Sequence, residues 1–294
     1  MIKRTIEISG QGNHLSIAEG SLCVGKAGEP VARIPLEDIG VLILDAPSTT
    51  YTHSVITEVI AAGAVIIPCG RDHHPRGLFL PQESSLQTQR LAAQAAAPLP
   101  LKKSLWKQIV QAKIHSQAGA LPQGAPERGM LGALVRQVRS GDPTNVEAHA
   151  ARLYWPAMFG KDFRRSPDGL PPNAVLNYGY MVLRSCVARA VCGAGLHPSL
   201  GLHHHNRSNA FCLADDLLEP LRPLVDVRVR ALAQAGATEV NRDSKMQILS
   251  VLTETVCLAG EKGPLMVALE RLTASLVRCY GGEQKKLDLP VLWN

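Results

Sequence analysis

Residues 201–225, GLHHHNRSNAFCLADDLLEPLRPLV, hold three consecutive histidines (His203, His204, His205), three carboxylates (Asp215, Asp216, Glu219) and two arginines (Arg207, Arg222). Imidazole and carboxylate are donors for a divalent cation, and guanidinium matches a phosphate. Consecutive side chains on an extended segment alternate sides, so one or two of the histidines can face the same ion. Pro220 biases Glu219 away from regular helix, and with Pro223 it predicts a first turn or a distorted helix. A carboxylate placed there can face a cleft. A blander reading competes: a solvated acidic helix start capped by Asp215 or Asp216. Cys212 beside the histidines also raises zinc, but structural zinc wants four N/S ligands in paired spacing and no second pair lies near.

One more carboxylate would complete a cation site. Glu147 sits in the first turn of a helix predicted over residues 144–158. Thr144 and Glu147 form a T-x-x-E capping box, in which the glutamate reaches back to the backbone N–H of Thr144. Cap and ligand are both open for it on spacing. His149, two residues on, points to another face and reads as structural.

The elements that must position these groups fall into two textures. Residues 1–80 alternate apolar and polar in short runs, with a hairpin at Glu19-Gly20, an apolar strand at 39–44, a helix at 52–62 stopped by Gly63, and a buried strand at 64–68. His73 and His74 read as a polar turn tip. A Gln- and Ala-rich helix at 84–97 follows, ended by prolines. Beyond it the pattern is helical, at 101–117, 127–139, 144–158, 173–192, 214–235, 244–258 and 264–280, with a loose tail at 285–294. The helix at 101–117 carries an apolar stripe at Leu105, Ile109 and Ala112, with Lys102, Lys103, Lys107 and Lys113 off it. The fold class is α+β: a small β-rich domain at 1–80, a linker at 81–97, and a larger all-α catalytic domain at 98–294.

Composition sets the partner class. A hydrophobic fraction of 46% supports a sizeable core, and a net charge of +6 favours a polyanion. With aromatics at 4%, a nucleic acid would be gripped by its phosphates rather than by serial base stacking. The seven cysteines are scattered with no C-x-x-C, which reads as free thiols in a reducing cytoplasm. No signal peptide or membrane span is legible.

Four segments taken together resemble the CRISPR spacer-acquisition integrase/endonuclease family, in its type II form. They are NVEAHAARLY at 145–154, NAVLNYGY at 173–180, GLHPSLGLHH at 195–204 and LADDLLEPLRPLVD at 213–226. The β-rich start and helical remainder fit the family layout over nearly the whole chain. The resemblance implies a glutamate, a histidine and a further acid holding Mg²⁺ or Mn²⁺. Matched by motif these are Glu147, His204 and Glu219, the last being Asp in many members. Asp216 is implied as an auxiliary acid. The cap and ligand readings of Glu147 become compatible, since backbone donors can orient a carboxylate that binds through its free oxygen.

The family joins DNA by attack of a free 3′-OH on a repeat phosphodiester, with no covalent protein intermediate. Implied DNA contacts are Arg152, Lys161, Arg164, Arg165, Asn173, Asn177, Tyr178, His203, His205, Arg207 and Arg222. Implied partners are double-stranded DNA (prespacer and CRISPR repeat), a second copy paired through the β-rich domain, a small dimeric CRISPR partner completing a hetero-hexamer, and the type II effector nuclease. The rival readings are a stand-alone nuclease of branched DNA and a non-catalytic DNA-binding scaffold.

Overall fold

The computed structural model describes residues 4–26, 32–71, 76–82, 87–258 and 260–293. His73, His74 and the first residues of the helix expected at 84–97 lie outside the described residues. Strands β1 (Arg4–Ile8), β5 (Ile39–Leu44) and β7 (Val65–Pro68) form a parallel sheet with β5 in the middle. Side chains alternate faces along a strand, and here both faces are dry. Leu42, Leu44 and Ile66 pack with Leu15, Leu22, Val55 and Val59 in one cluster. Val41, Ile43, Val65 and Ile67 enter the helical core on the other side. Burial on both faces is why β5 reads as an unbroken apolar run.

The second sheet has the order β4-β3-β2-β6, from β2 (His14–Ala18), β3 (Ser21–Gly25), β4 (Ala32–Pro35) and β6 (Thr50–Tyr51). The expected hairpin joins β2 to β3, with Glu19 at φ 50° and Gly20 at φ 67°, the double positive-φ turn that matches strand twist. α1 (His53–Ala61) covers the first cluster.

The remainder is mainly helical, with one two-stranded hairpin where an all-α domain was expected, and the class is α+β. α2 (Gln87–Ala95) lies in the stretch read as a linker and is docked. Its buried Gln94 donates to the carbonyls of His197 and Leu200 and accepts from the His197 N–H. α3 (Leu99–Ala120), α4 (Pro126–Val135), α5 (Val146–Phe159) and α6 (Asn173–Gly193) follow. α6 is buried around most of its circumference and forms the axis of the core. A Cβ on its Gly179 would come 2.5 Å from Val225 Cγ1, so glycine sets the approach of the next helices to α6.

The helix expected at 214–235 is split. α7 (Cys212–Leu218), a 3₁₀ turn (Glu219–Leu221) and α8 (Arg222–Gln234) replace it. Pro220 and Pro223 lack N–H groups, so the α ladder is interrupted twice in four residues and tightens.

Two expectations need correction. The helix predicted at 244–258 ends early: α9 (Arg242–Leu249) passes through a short 3₁₀ turn into the hairpin of β8 (Thr255–Leu258) and β9 (Glu261–Pro264). Val256 and Leu258 are buried while Thr255 is exposed, a period of two that the helical spacing masked. The tail expected to be loose is docked instead. Leu287 is buried, Val291 bridges to Cys257, and Trp293 lies against Gly119, so apolar burial fixes it. α10 (Leu265–Tyr280) closes the core. The described cysteines are free. Among the described residues no helix is long and apolar enough to cross a membrane.

Candidate active site

Trp106 and Lys113 are seven positions apart on α3, two turns, so they share one face. That face looks at the glutamates and histidines singled out above. Lys113 Nζ lies 2.5 Å from Glu147 Oε1 and 2.5 Å from Glu219 Oε2. The sequence reading set Lys113 aside as a lysine off the apolar stripe; its side chain is 12% exposed and bridges two acids. Arg222, one turn beyond Glu219, places Nε 2.9 Å from Glu219 Oε1. Burial alone would raise the Glu219 carboxyl, and Arg222 and Lys113 outweigh it and pull it down to about 2. Burial alone would lower the Lys113 ammonium, and the charges of Glu219 and Glu147 outweigh it in turn and raise it.

Glu147 is freed for this contact by a cap other than the one predicted. The N-cap of α5 is Asn145, at φ 51°, which accepts from Ala148 N–H. Asp142 accepts from the N–H groups of Val146 and Glu147 at 2.9 and 3.0 Å. With its first donors satisfied by Asp142 and Asn145, the helix leaves the Glu147 side chain to reach Lys113.

The histidine turn is built on Asp216 of α7. This fully buried carboxylate accepts from the backbone N–H groups of Leu202 (2.6 Å), His203 (3.0 Å) and His204 (3.3 Å). Its Oδ1 also lies 2.6 Å from His204 Nδ1. Opposite a carboxylate, Nδ1 carries the proton, so Nε2 keeps its lone pair when the ring is neutral. This hydrogen bond, stronger than the opposing effect of burial, raises the imidazole. His203 stacks on Trp106 with ring centroids 4.3 Å apart and planes 1° from parallel. Burial lowers its imidazole, and the neighbouring His204 adds to this.

A divalent cation can be tested against this donor set. Glu147 and Glu219 converge on one positive charge, and the buried Glu219 Oε2 accepts no well-aligned hydrogen bond. His204 offers Nε2 with its other nitrogen held by a carboxylate, as ligating imidazoles do. In chemistry the three residues fit a divalent ion. In position, Lys113 stands between the glutamates, and among the described residues no three His, Cys, Asp or Glu side chains converge as a ligand group. Cys212 turns its thiol to the carbonyls of Asn206 and Asn209.

Beside His204 opens a cavity of about 380 Å³ lined by Arg165, Asn177, Tyr180, Arg184, Asp215 and Arg222 among others. The Tyr180 ring lies beneath two guanidiniums, Arg222 at 4.6 Å and Arg165 at 5.3 Å. Below it the buried Asp226 accepts from the hydroxyls of Tyr180 and Tyr154. Burial, partly offset by those bonds, pushes the Asp226 carboxyl up to about 6. Arg184, absent from the sequence reading, pairs with Asp215 at 3.6 Å and lies 5.2 Å from the Phe211 ring.

The other residues named from sequence separate into groups. Arg152, Lys161, Arg164, His205 and Arg207 are exposed, with Arg164 folded onto the carbonyls of Lys161 and Phe163. Arg165 donates to Asn173 and Asn177 and faces the cavity. Asn173 and Tyr178 are corrections: each is 1% exposed, so neither presents a group to a nucleic acid. Asn173 braces the loop before α6 through the Ser166 N–H and the carbonyls of Arg164 and Leu170. Tyr178, 100° around the helix from Asn177, faces Lys245, whose buried ammonium pairs with Asp45 at the end of β5. The signal that could have found Lys113 is its two-turn spacing from a tryptophan.

The family model described as CRISPR associated protein Cas1 matches residues 6–254. A CRISPR-associated endonuclease Cas1 from Neisseria meningitidis serogroup C is 36% identical over 285 residues, covering 95% of this chain and 93% of the relative. Among solved structures, a casposase bound to integration product superposes with a TM-score of 0.79 at 20% identity, over 97% of this chain and 93% of that one. A chain of a Cas6-RT-Cas1–Cas2 complex gives 0.76 at 17% identity, over 98% of this chain and 36% of that one.

Proposed function

Because this chain belongs to the Cas1 family of CRISPR-associated proteins, we propose that it inserts spacer DNA into a CRISPR array by attack of a free 3′-OH on a repeat phosphodiester. It is an enzyme of the nuclease and integrase class acting in CRISPR adaptation. The observation that carries the finer reading is the convergence of Glu147 and Glu219 on one cationic position, beside an imidazole oriented by Asp216.

Glu147, His204 and Glu219 are the residues that would hold a Mg²⁺ or Mn²⁺. Such an ion, when bound, supplies Lewis acidity at the scissile phosphate and acidifies the attacking hydroxyl. The remaining roles belong to the chain. Asp216 keeps the His204 proton on Nδ1 and fixes the turn. Arg165, Arg184 and Arg222 surround the adjoining cavity and offset phosphate charge. One P–O bond forms to the incoming 3′ oxygen and one breaks to the displaced 3′ oxygen, so no protein nucleophile is required. Burial pushes the thiols of Cys186 and Cys192 up to about 12 and about 11, which suits them to the core rather than to attack. The assembly proposed is a homodimer paired through the strand-rich N-terminal part, with two dimers flanking a small dimeric Cas2 partner. A solved Cas6-RT-Cas1–Cas2 complex holds a chain of the same fold.

The test is strand joining. Purified protein and its small partner are mixed with a labelled short duplex and a plasmid carrying a CRISPR repeat, in Mg²⁺, Mn²⁺ or chelator, with Glu219→Ala alongside. Metal-dependent transfer of label to the plasmid, lost in the variant, is expected. Cleavage without joining would instead establish a nuclease, and binding with neither a scaffold.

A further inference from the structure

The Lys113 ammonium stands 2.5 Å from an oxygen of each of two glutamates that come from different elements, Glu147 on α5 and Glu219 in the 3₁₀ turn. With Arg222 on the other Glu219 oxygen, the four charges sum to zero. Without Lys113 the same set would carry a net negative charge beside His204. Two partly buried carboxylates facing each other repel strongly, so some cation is needed to hold them together.

The contact has the character of an exchangeable one. The ammonium donates to Glu147 Oε1 and pairs closely with Glu219 Oε2, two charge contacts that a second cation can take over. The backbone of α3 is anchored on either side of Lys113 by Trp106, Ile109, Val110 and Ile114, all fully buried. Four methylenes separate that fixed backbone from the ammonium, so the charge can move while the helix stays in place.

We propose that Lys113 is a built-in occupant of the cation position, holding Glu147 and Glu219 together until a divalent ion displaces its ammonium. This rests on the reading of Glu147, His204 and Glu219 as cation ligands. Displacement sets apart a weakly exposed ammonium from its partners, so the lysine lowers the affinity of the site for divalent ions and keeps it neutral before they bind.

Mn²⁺ binding to chelator-treated protein, read from the electron paramagnetic resonance signal of free Mn²⁺, tests this without reference to activity. Lys113→Met is expected to bind at least about tenfold more tightly than the parent chain. It should also melt at lower temperature without the ion and show the larger rise in Tm when Mn²⁺ is added. Adding Glu147→Gln to Lys113→Met should remove the gain, which places it at this site. Should Lys113→Met not melt cooperatively without the ion, Lys113→Arg is read instead. Its fork grips both carboxylates more firmly and should weaken Mn²⁺ binding several-fold. Unchanged or weaker affinity in a folded Lys113→Met, or unchanged affinity in Lys113→Arg, overturns the inference. If strand joining nevertheless depends on metal, the proposed function stands and only the role of Lys113 falls. Absence of Mn²⁺ binding in both parent and variant overturns the inference and the ligand set together.

Discussion

His204 Nδ1 and Asp216 Oδ1 lie 2.6 Å apart, and the same buried carboxylate accepts the backbone N–H groups of Leu202, His203 and His204. One acid therefore fixes both the imidazole and the turn that carries it. Its loss would free the ring and strand three donors at once. Asp216→Ala should cost about 3–5 kcal/mol of stability by urea denaturation. Asp216→Asn, which keeps the shape but sets an amide against N–H donors, should fall between it and the parent. A loss under about 1 kcal/mol for the alanine variant would show that the turn holds itself.

Gly201 makes that turn tight enough to reach Asp216. A Cβ at position 201 would press on the His204 carbonyl and come within 2.9 Å of Asp216 Oδ2 and 3.0 Å of Cys212 Cβ. The backbone there cannot yield without opening the Asp216 contacts. Gly201→Ala is expected to lose about 1–3 kcal/mol in thermal or urea melts. In the joining assay it should lose most activity while binding DNA near normally.

Asp226 gives a pH dependence with a definite sign. Burial raises its carboxyl from 3.8 to about 6 in the folded protein, against the opposing effect of the Tyr180 and Tyr154 hydroxyls and of Arg222. The folded state therefore binds this proton more tightly than the unfolded chain does. Its proton-linked contribution is fully present below about pH 4 and is lost as pH rises through 6, a difference of order 3 kcal/mol at most between the two ends. Stability relative to Asp226→Asn should rise as pH falls from 7 to 4. A flat difference across that window would show that the acid titrates normally.

The arginines around the cavity beside His204 should act through phosphate charge. Arg184→Ala is expected to weaken DNA binding several-fold and to reduce the slope of log affinity against log salt by about 1. Affinity that hardly varies between low and moderate salt would remove the electrostatic account of that wall.

Much of the fold was legible because its signals are local. The unbroken apolar run of β5 announces a strand buried on both faces, and Glu19-Gly20 supplies the only kind of backbone a two-residue hairpin accepts easily. The proline pair at 220 and 223 marked the place where a helix must tighten and turn Glu219 inward. Where two periods fit one apolar run, as at 255–258, the sequence offered no way to choose. Docking of the tail likewise depends on neighbours that no local pattern names.

By itself the sequence determined the types and order of the donors: a glutamate at a helix start, a histidine triplet, and acids around a proline break. Tertiary structure decided which of them meet. Lys113 lies 34 positions from Glu147, and only packing of α3 against α5 and the 3₁₀ turn turns a lysine off an apolar stripe into the bridge between two acids. Other tertiary contacts buried Asn173 against the loop before α6 and Tyr178 against Lys245, although their motif had suggested both for DNA. The reason is physical. Periodicity reports which face of an element is apolar, whereas a buried charge is positioned by counter-charges brought from distant segments, and their pairing exists only once the core has closed.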